Sequence, residues 1–412
     1  MAHIQPLRGT RDLLPAECRK FRHVESVARR IAGLYGFGEI ETPIMESSAV
    51  FKRTLGDTSD IVTKQMYCFL DRGGDEMVLR PEGTAGIARA FISEGLSQHI
   101  PLKLFYFGPM FRYERPQKGR YRQFYQAGVE LLGADKPQAD VEVIAMGWQI
   151  LRSLNLKGDI ALHLNTIGDG ESRAAYRDRL VAYLRTRAGE LSPESLERLE
   201  KNPLRILDSK DEGDKRVVAE APSLEGSLND SSRKFIDEIQ EGLTRLGLSY
   251  VIDPLLVRGL DYYCHTVFEF TTNALGSQNA VLAGGRYDNL ISDMGGPKTP
   301  GVGFAAGVDR LTLMLEELPN EVRPVAIVPL GEEAEKQALL LAQELRLKGL
   351  SVELGYSGNM AKRLKRAAGL NSRFAVIFGS DELGKGVVQL KDLDKGEQIE
   401  VSRTELHARL QS

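Results

Sequence analysis

Two long runs of strand type, LKLFYFGPMFRYE and YRQFYQAGVELLG, follow one another with only a short Pro/Gly loop, RPQKGR, between them. Strands joined so closely pair antiparallel, so the centre of this chain is committed to a sheet. Alternate residues of a strand share a face. Between 120 and 130 the even positions are Arg120, Arg122, Phe124, Gln126, Gly128 and Glu130. The odd positions, Tyr121, Gln123, Tyr125, Ala127, Val129 and Leu131, become apolar toward the end. Arg112 and Glu114 share a face of the first strand in the same way. The hairpin holds Arg112, Arg115, Lys118, Arg120 and Arg122 against one acid, Glu114. A face of arginines, carboxylates and one aromatic suits a ligand with a flat ring and several phosphates. The same pattern also describes a solvated hairpin with surface ion pairs, each contributing about 0–1 kcal/mol.

The cations are a local feature. Net charge is −3 over 412 residues, so no global field draws the chain to nucleic acid. The length implies two or three domains, and 42% hydrophobic with 27% charged residues is a globular composition. Cys18, Cys68 and Cys264 are far apart and form no CxxC pair, which argues against a zinc ribbon or a disulfide framework. No apolar run is long enough to span a membrane, and the N-terminus lacks the apolar core of a signal peptide. The expectation is a cytoplasmic protein with no membrane partner and no structural metal.

Apolar positions at helical spacing predict a helix over 17–35, stopped by Gly36 and Gly38. EIETPIMESS is extended. Helical patterns run over 139–154 and around 171–200, and the highly charged 171–248 stretch reads as an insertion with its own helices. Strand signals return at LLVRGLDYYCHTVFEF and NAVLAGGRYDNL. After Pro319 the style changes: RPVAIVPL, LSVELGY and RFAVIFG alternate with helical runs, which predicts a separate α/β domain with a mixed sheet. The expected domains are 1–320 and 321–412. Two glycine motifs are set aside. GSDELGKG lacks the hydroxyl residue of a P-loop and precedes strand-like VVQL; GVGFAA is enclosed by no βαβ unit.

The hairpin and other stretches together resemble the class II aminoacyl-tRNA synthetases. YGFGEIETPIM, with Pro43, is similar to their motif 1. FRYE…RYRQF is similar to motif 2, and GVGFAAGVDRL, ending at Arg310, to motif 3. RGLDYY, AGGRYDNL and LRPEGTAGIARAF resemble stretches that mark the histidine-specific branch. The order holds from RGTRDLLP to the C-terminus; Tyr113 and Cys264 fall at variable positions.

The resemblance implies an α+β catalytic domain built on an antiparallel sheet with flanking helices, dimerised through motif 1, and a C-terminal anticodon-binding domain. It implies ATP with Mg2+, L-histidine and tRNA(His) as partners. Arg112 and Arg258 would act at the α-phosphate, with Glu114, Arg120, Phe124 and Arg310 completing the ATP site. Glu82, Gly83, Thr84, Gln126, Glu130, Tyr262, Tyr263 and Tyr287, together with Arg112 and Arg258, would hold histidine. Both ring nitrogens of a buried imidazole need partners, which Glu130 and Tyr262 can supply. Gly284 and Gly285 would let backbone approach the ligand closely.

Each residue also has a plain reading. Arg258 is a strand-end arginine free to pair with Asp261, and Glu130 an ordinary strand carboxylate. Cys264 and His265 are discounted as a nucleophile pair, because neighbours on a strand face opposite ways. NMAKRLKRAAG offers Lys362, Arg363, Lys365 and Arg366 on a basic helix, either as a solvated face or, with Lys118, as contacts to RNA phosphates. Two alternatives share the fold: a synthetase-like regulatory subunit of ATP phosphoribosyltransferase, and an RNA-binding module with a dead site. The set Arg112, Arg258 and Arg310 argues against both.

Overall fold

The structure, a computed structural model, describes residues 3–56, 59, 61–260, 262–276, 279–316 and 321–411. It divides into two compact units, Met1–Pro319 and Asn320–Ser412. The strands are, in chain order, β1 (Gly38–Glu39), β2 (Met45–Ser47), β3 (Tyr67–Leu70), β4 (Glu76–Leu79), β5 (Leu102–Phe111), β6 (Gln123–Leu132), β7 (Ile160–Thr166), β8 (Val251–Ile252), β9 (Cys264–Thr272), β10 (Ala280–Arg286), β11 (Gly301–Gly307), β12 (Val325–Pro329), β13 (Val352–Leu354), β14 (Phe374–Phe378), β15 (Val387–Asp392) and β16 (Gln398–Ser402).

The large sheet of the first unit runs β1-β5-β6-β11-β10-β9-β7-β8. The β5–β6 hairpin is continuously paired from Leu102↔Leu132 to Phe111↔Gln123. The sheet is antiparallel as expected, except that the two-residue edge strands β1 and β8 pair parallel to β5 and β7. Period-two burial separates its faces. Phe105, Val129 and Leu131 join the core formed with the helices Pro15–Leu34, Pro137–Ser153 and Asp230–Arg245. Leu104 and Tyr106 point to the other face, with Tyr262, Tyr263 and Tyr287. One face is therefore filled by helices; the other carries the polar residues of the hairpin.

Arg286, at the end of β10, and Asp140, in the helix Pro137–Ser153, are both fully buried and joined by an ion pair, with Nε 3.0 Å from Oδ2. Arg286 also donates to Ala134 O at 3.1 Å. The pair fixes the helix to the sheet one residue before Tyr287.

Between β7 and β8 the chain forms the helices Gly170–Thr186, Pro193–Lys201, Glu212–Ala219 and Asp230–Arg245. Buried Asp214 ties this region by accepting hydrogen bonds from the hydroxyls of Ser192 (2.8 Å), Ser195 (2.6 Å) and Ser209 (2.6 Å).

In the second unit the order is β13-β12-β14-β15-β16, parallel about β12 and antiparallel beyond β14, a mixed sheet. The helix Met360–Gly369 lies between β13 and β14. GSDELGKG forms the short helix Ser380–Lys385 and a left-handed Gly386 before β15, and GVGFAA lies in β11.

Removing one partner of a buried ion pair strands the other charge, typically at a cost of roughly 3–5 kcal/mol. Asp140→Ala should lower the free energy of unfolding in urea by that amount. A loss under about 1 kcal/mol, the size of an ordinary surface substitution, would show that the pair does not hold helix to sheet.

Candidate active site

The polar face of β6 and β11 floors a cavity of about 190 Å³. At its deep end lies Glu130, 1% exposed. Its Oε1 accepts from Thr84 Oγ1 at 2.7 Å, and its Oε2 from the hydroxyl of Tyr287. The cross-strand partner of Glu130 is Gly303, where a Cβ would collide with this carboxyl and with Val129 O. The carboxyl thus reaches the cavity through space that only glycine leaves. Burial pushes its pKa up to about 8, against the two hydroxyl donors that favour the charged form; nearby Glu82 raises it further.

Glu82, also buried, turns back on its own loop, accepting from Thr84 N at 2.7 Å and Ala85 N at 2.9 Å. Burial raises its pKa despite those donors. Gln126 lies on the same strand face as Glu130; its buried Oε1 has no hydrogen-bond partner among the described residues, an acceptor available to a ligand. Tyr262, Tyr263 and Tyr287 form an aromatic wall, with Tyr262 centred 4.6 Å from Tyr263 and 5.6 Å from Tyr287. Burial raises the pKa of all three phenols, keeping them as neutral donors.

The arginines line the same cavity from three parts of the chain: Arg112 and Arg120 from the β5–β6 connection, Arg258 from the segment after β8, and Arg310 from the helix after β11. Arg112, just past β5, donates through Nε to Pro81 O at 2.8 Å, so it also holds the loop that carries Glu82. Its guanidinium lies 5.3 Å from the centre of the Phe124 ring. Arg120 is ion-paired with Glu114. Arg310, from the helix Val308–Met314, donates to Ala280 O at 2.6 Å. Burial lowers the pKa of Arg112 and Arg310. Arg258 pairs with Glu269 Oε2 at 2.7 Å, and its buried Nε has no partner among the described residues.

Of the expected residues, Gly83 does not line the cavity; it caps the helix Thr84–Ser93. Gly284 and Gly285 do not line it either. A Cβ at Gly284 would strike Gly303 O, and one at Gly285 would come within 2.8 Å of the Tyr263 ring. The close approaches these glycines permit in this structure are to the protein's own strand β11 and tyrosine wall. Arg122 leaves the face that strict alternation gives it. Its N–H bonds Gly9 O at 2.7 Å, regular pairing of β6 begins at Gln123, and its guanidinium lies 3.8 Å from the centre of the Tyr113 ring. Arg115 and Lys118 are exposed in the loop. Asp261 lies outside the described residues. Cys264 and His265 form no nucleophile pair: burial pushes the thiol up to about 12, and His265 stacks on Phe235 at 4.7 Å.

Sequence reasoning missed two supports. Glu269 is a lone carboxylate inside the apolar run TVFEF, which was the available signal. Asp309 accepts from Tyr125 N at 2.9 Å and pairs with Arg11 at 3.0 Å, fastening motif 3 to the hairpin and to RGTRDLLP.

Residues 9–311 match the sequence profile of the family described as histidyl-tRNA synthetase, and residues 324–412 that of an anticodon binding domain. A histidine–tRNA ligase of Rhodospirillum rubrum is 60% identical over 97% of this chain and 96% of its own. The chain belongs to the histidyl-tRNA synthetases. A second family member, from Gluconacetobacter diazotrophicus, is 52% identical over 98% of this chain and 97% of its own. Among solved structures, that of apo S. aureus histidyl-tRNA synthetase superposes with a TM-score of 0.83 at 34% identity, covering 100% of both chains. A Bacillus halodurans structure titled as an ATP phosphoribosyltransferase regulatory subunit/histidyl-tRNA synthetase aligns with a TM-score of 0.67 at 26% identity, covering 92% of this chain and 99% of that one. The closer likeness to the ligases disfavours the regulatory alternative.

In the unfolded chain Glu130 would ionise near 4.5, in the folded one near 8. The folded state is therefore favoured by the neutral carboxyl at low pH, and this contribution is lost as pH rises through that window. The ligand-free protein should lose stability between about pH 5 and pH 8, by on the order of 4 kcal/mol from this group. Urea midpoints across that range should show the slope flattened in Glu130→Gln. An identical slope in both proteins would contradict the buried neutral carboxyl.

Proposed function

We propose that this cavity joins ATP to L-histidine and then passes the histidyl group to tRNA(His), the two-step reaction of a histidine–tRNA ligase. A histidine carboxylate oxygen attacks the α-phosphorus; the bond to the β-phosphate oxygen breaks, and pyrophosphate leaves. A hydroxyl of the terminal tRNA ribose then attacks the histidyl carbonyl, and AMP departs. The observation that carries this reading is one cavity with a buried carboxyl–tyrosine–threonine cluster at one end and four arginines, from three parts of the chain, around it.

Glu130 accepts from one imidazole N–H and Tyr262 bonds the other nitrogen, within the tyrosine wall. Glu82, Thr84 and Gln126 receive the ammonium group, for which the unpartnered Gln126 Oε1 is suited. A site built from such bonds rejects amino acids that leave its polar groups unpaired. Adenine stacks between Phe124 and Arg310 with Glu114 at its amino group, Arg120 meets the terminal phosphates, and Arg112 and Arg258 neutralise the α-phosphate. Mg2+ enters on the oxygens of the nucleotide substrate. Displacement at phosphorus asks the protein chiefly for position and charge.

The domain after 320 would hold the anticodon. Lys362 and Lys365 are exposed and suited to RNA phosphates, as is Lys118 near the acceptor end. Arg363 is not: it is 6% exposed, with Nη1 on Pro329 O and Nη2 on Glu335. Its position faces the sheet, so the basic run of the sequence contains one structural arginine. Arg366 is exposed but pairs with Glu353 at 2.7 Å. The expected assembly is a cytoplasmic homodimer; a second copy would cover the exposed Met45 and Phe69, which share one face of the small sheet β2-β4-β3.

ATP–pyrophosphate exchange with each amino acid in turn tests the reading; exchange should require histidine. Arg258→Ala should reduce it by on the order of a hundredfold or more in a folded protein. Near-parental exchange in that variant would remove Arg258 from the α-phosphate.

Neutralising Lys362 and Lys365 together should flatten the salt dependence of tRNA binding by roughly 1.4–1.8 units of log slope. Arg363→Ala should instead lower the melting temperature. The opposite pattern would return Arg363 to the RNA-facing set.

A further inference from the structure

The segment ahead of the helix Pro15–Leu34 is tied to the active-site cavity without lining it. Gly9 lies in a turn with a φ of +88°, and a Cβ there would stand 2.7 Å from Arg122 Cγ and 3.0 Å from Pro116 Cγ. A left-handed backbone with no room for a side chain calls for glycine. The Gly9 carbonyl accepts from Arg122 N at 2.7 Å, so the segment is fastened to the returning limb of the hairpin.

Arg11, two residues on, joins three elements. Its Nη2 donates to Asp309 Oδ1 at 3.0 Å, in the helix Val308–Met314. Its guanidinium stands 4.4 Å from the centre of the Tyr121 ring on the hairpin. Glu17, through an ion pair, and the Phe21 ring, at 5.8 Å, hold it from the helix Pro15–Leu34. Asp309 and Tyr121 line the cavity, and Arg11 stands behind them. Asp309 is 4% exposed, and its Oδ2 accepts from Tyr125 N at 2.9 Å. One carboxylate thus bridges two walls of the cavity, since Tyr125 follows Phe124 and Asp309 precedes Arg310. Burial pushes the Asp309 carboxyl up; the Tyr125 N–H and Arg11 act against that shift and favour the charged bridge.

We propose that Arg11 is a positioning residue for the nucleotide: through Asp309 and Tyr121 it sets the separation of Phe124 and Arg310, between which the purine of ATP stacks. The inference deepens the ligase reading and rests on it. A stacking slot depends on its width, because a gap of about 0.5–1 Å already forfeits roughly a quarter to a half of the contact energy. The histidine end is held separately, by the bonds of Glu130 to Thr84 and Tyr287. Loss of Arg11 therefore weakens ATP and spares histidine. A direct contact of Arg11 with RNA is the competing role, since its side chain is 28% exposed.

The test uses Arg11→Gln and Arg11→Lys in the full-length chain, with Asp309→Asn alone and combined with Arg11→Gln. In histidine-dependent pyrophosphate exchange, Arg11→Gln should raise KM for ATP roughly tenfold, the effect of losing one hydrogen bond to a charged group. KM for histidine and kcat should stay near the parent's. Arg11→Lys keeps the charge at Asp309 without the flat group on Tyr121, and should recover part of the loss. Asp309→Asn should also raise KM for ATP, and the double variant should be no worse than the more affected single one, because both changes cut the same link. If Arg11→Gln does not fold, Arg11→Lys decides, with KM raised for ATP and unchanged for histidine. Equal rises for ATP and histidine, a fall in kcat alone, or additive losses in the double variant would overturn the proposal. So would a parental KM for ATP in folded Arg11→Gln, or in Arg11→Lys where the glutamine variant does not fold. Normal exchange with a loss confined to tRNA charging would make Arg11 an RNA contact instead. Each of these, with normal exchange in the parent, refutes this inference alone; a parent without histidine-dependent exchange would refute the ligase reading, and this one with it.

Discussion

The site depends on a carboxyl group with almost no access to water. Glu130 sits on a central strand, and desolvation there opposes its charge more strongly than two hydroxyl donors favour it. Much of the surrounding arrangement follows from making that position tenable. Gly303 leaves the volume opposite it, Thr84 and Tyr287 supply donors, and the Arg286–Asp140 pair anchors the strand end that delivers Tyr287. A carboxyl so placed discriminates by its own need: a ligand that offers a ring N–H relieves the burial, and one without it does not.

The arginines meet the opposite problem, since like charges gathered round one cavity repel. The fold answers by giving each guanidinium a local hold. Arg112 leans on Pro81 O, Arg310 on Ala280 O, Arg120 on Glu114 and Arg258 on Glu269. These holds also fix direction, so little reorganisation would remain for an anionic ligand, which is the condition under which charge is most useful to a transition state. Asp309 does the same at the level of elements, binding the backbone of β6 and the guanidinium of Arg11 at once.

The legible part of this chain was the part governed by period. Alternation along β6 sent Phe124, Gln126 and Glu130 to one face and Val129 and Leu131 to the other, and the alternation of strands and helices after 320 marked the mixed sheet. Where the period lapses, the reading failed. Arg122 precedes the regular pairing of β6 and turns onto Tyr113. Arg363 has the composition of a surface residue but the phase of a buried one, between Asn359 at the cap and buried Ala367. Gly284 and Gly285 were correctly seen as close approaches, yet sequence cannot say what approaches; here it is Gly303 O and the Tyr263 ring. Long-range partners such as Glu269 for Arg258 are set by sheet register, which a single sequence does not encode locally.

Arg258 draws these strands together. In the ligand-free protein its charge is spent on Glu269, a pair only partly shielded from water, with side chains 21% and 17% exposed. A pair so exposed is worth at most about 1 kcal/mol or a little more. A phosphoryl group carrying fuller charge in this cavity would compete with that pair, and the Nε, unpartnered among the described residues, would offer it a donor without breaking the existing bond. The same side chain borders a second, arginine-lined cleft beside the insertion. The two cavities therefore share part of one wall, and any change in what Arg258 bonds on one side would alter the lining of the other.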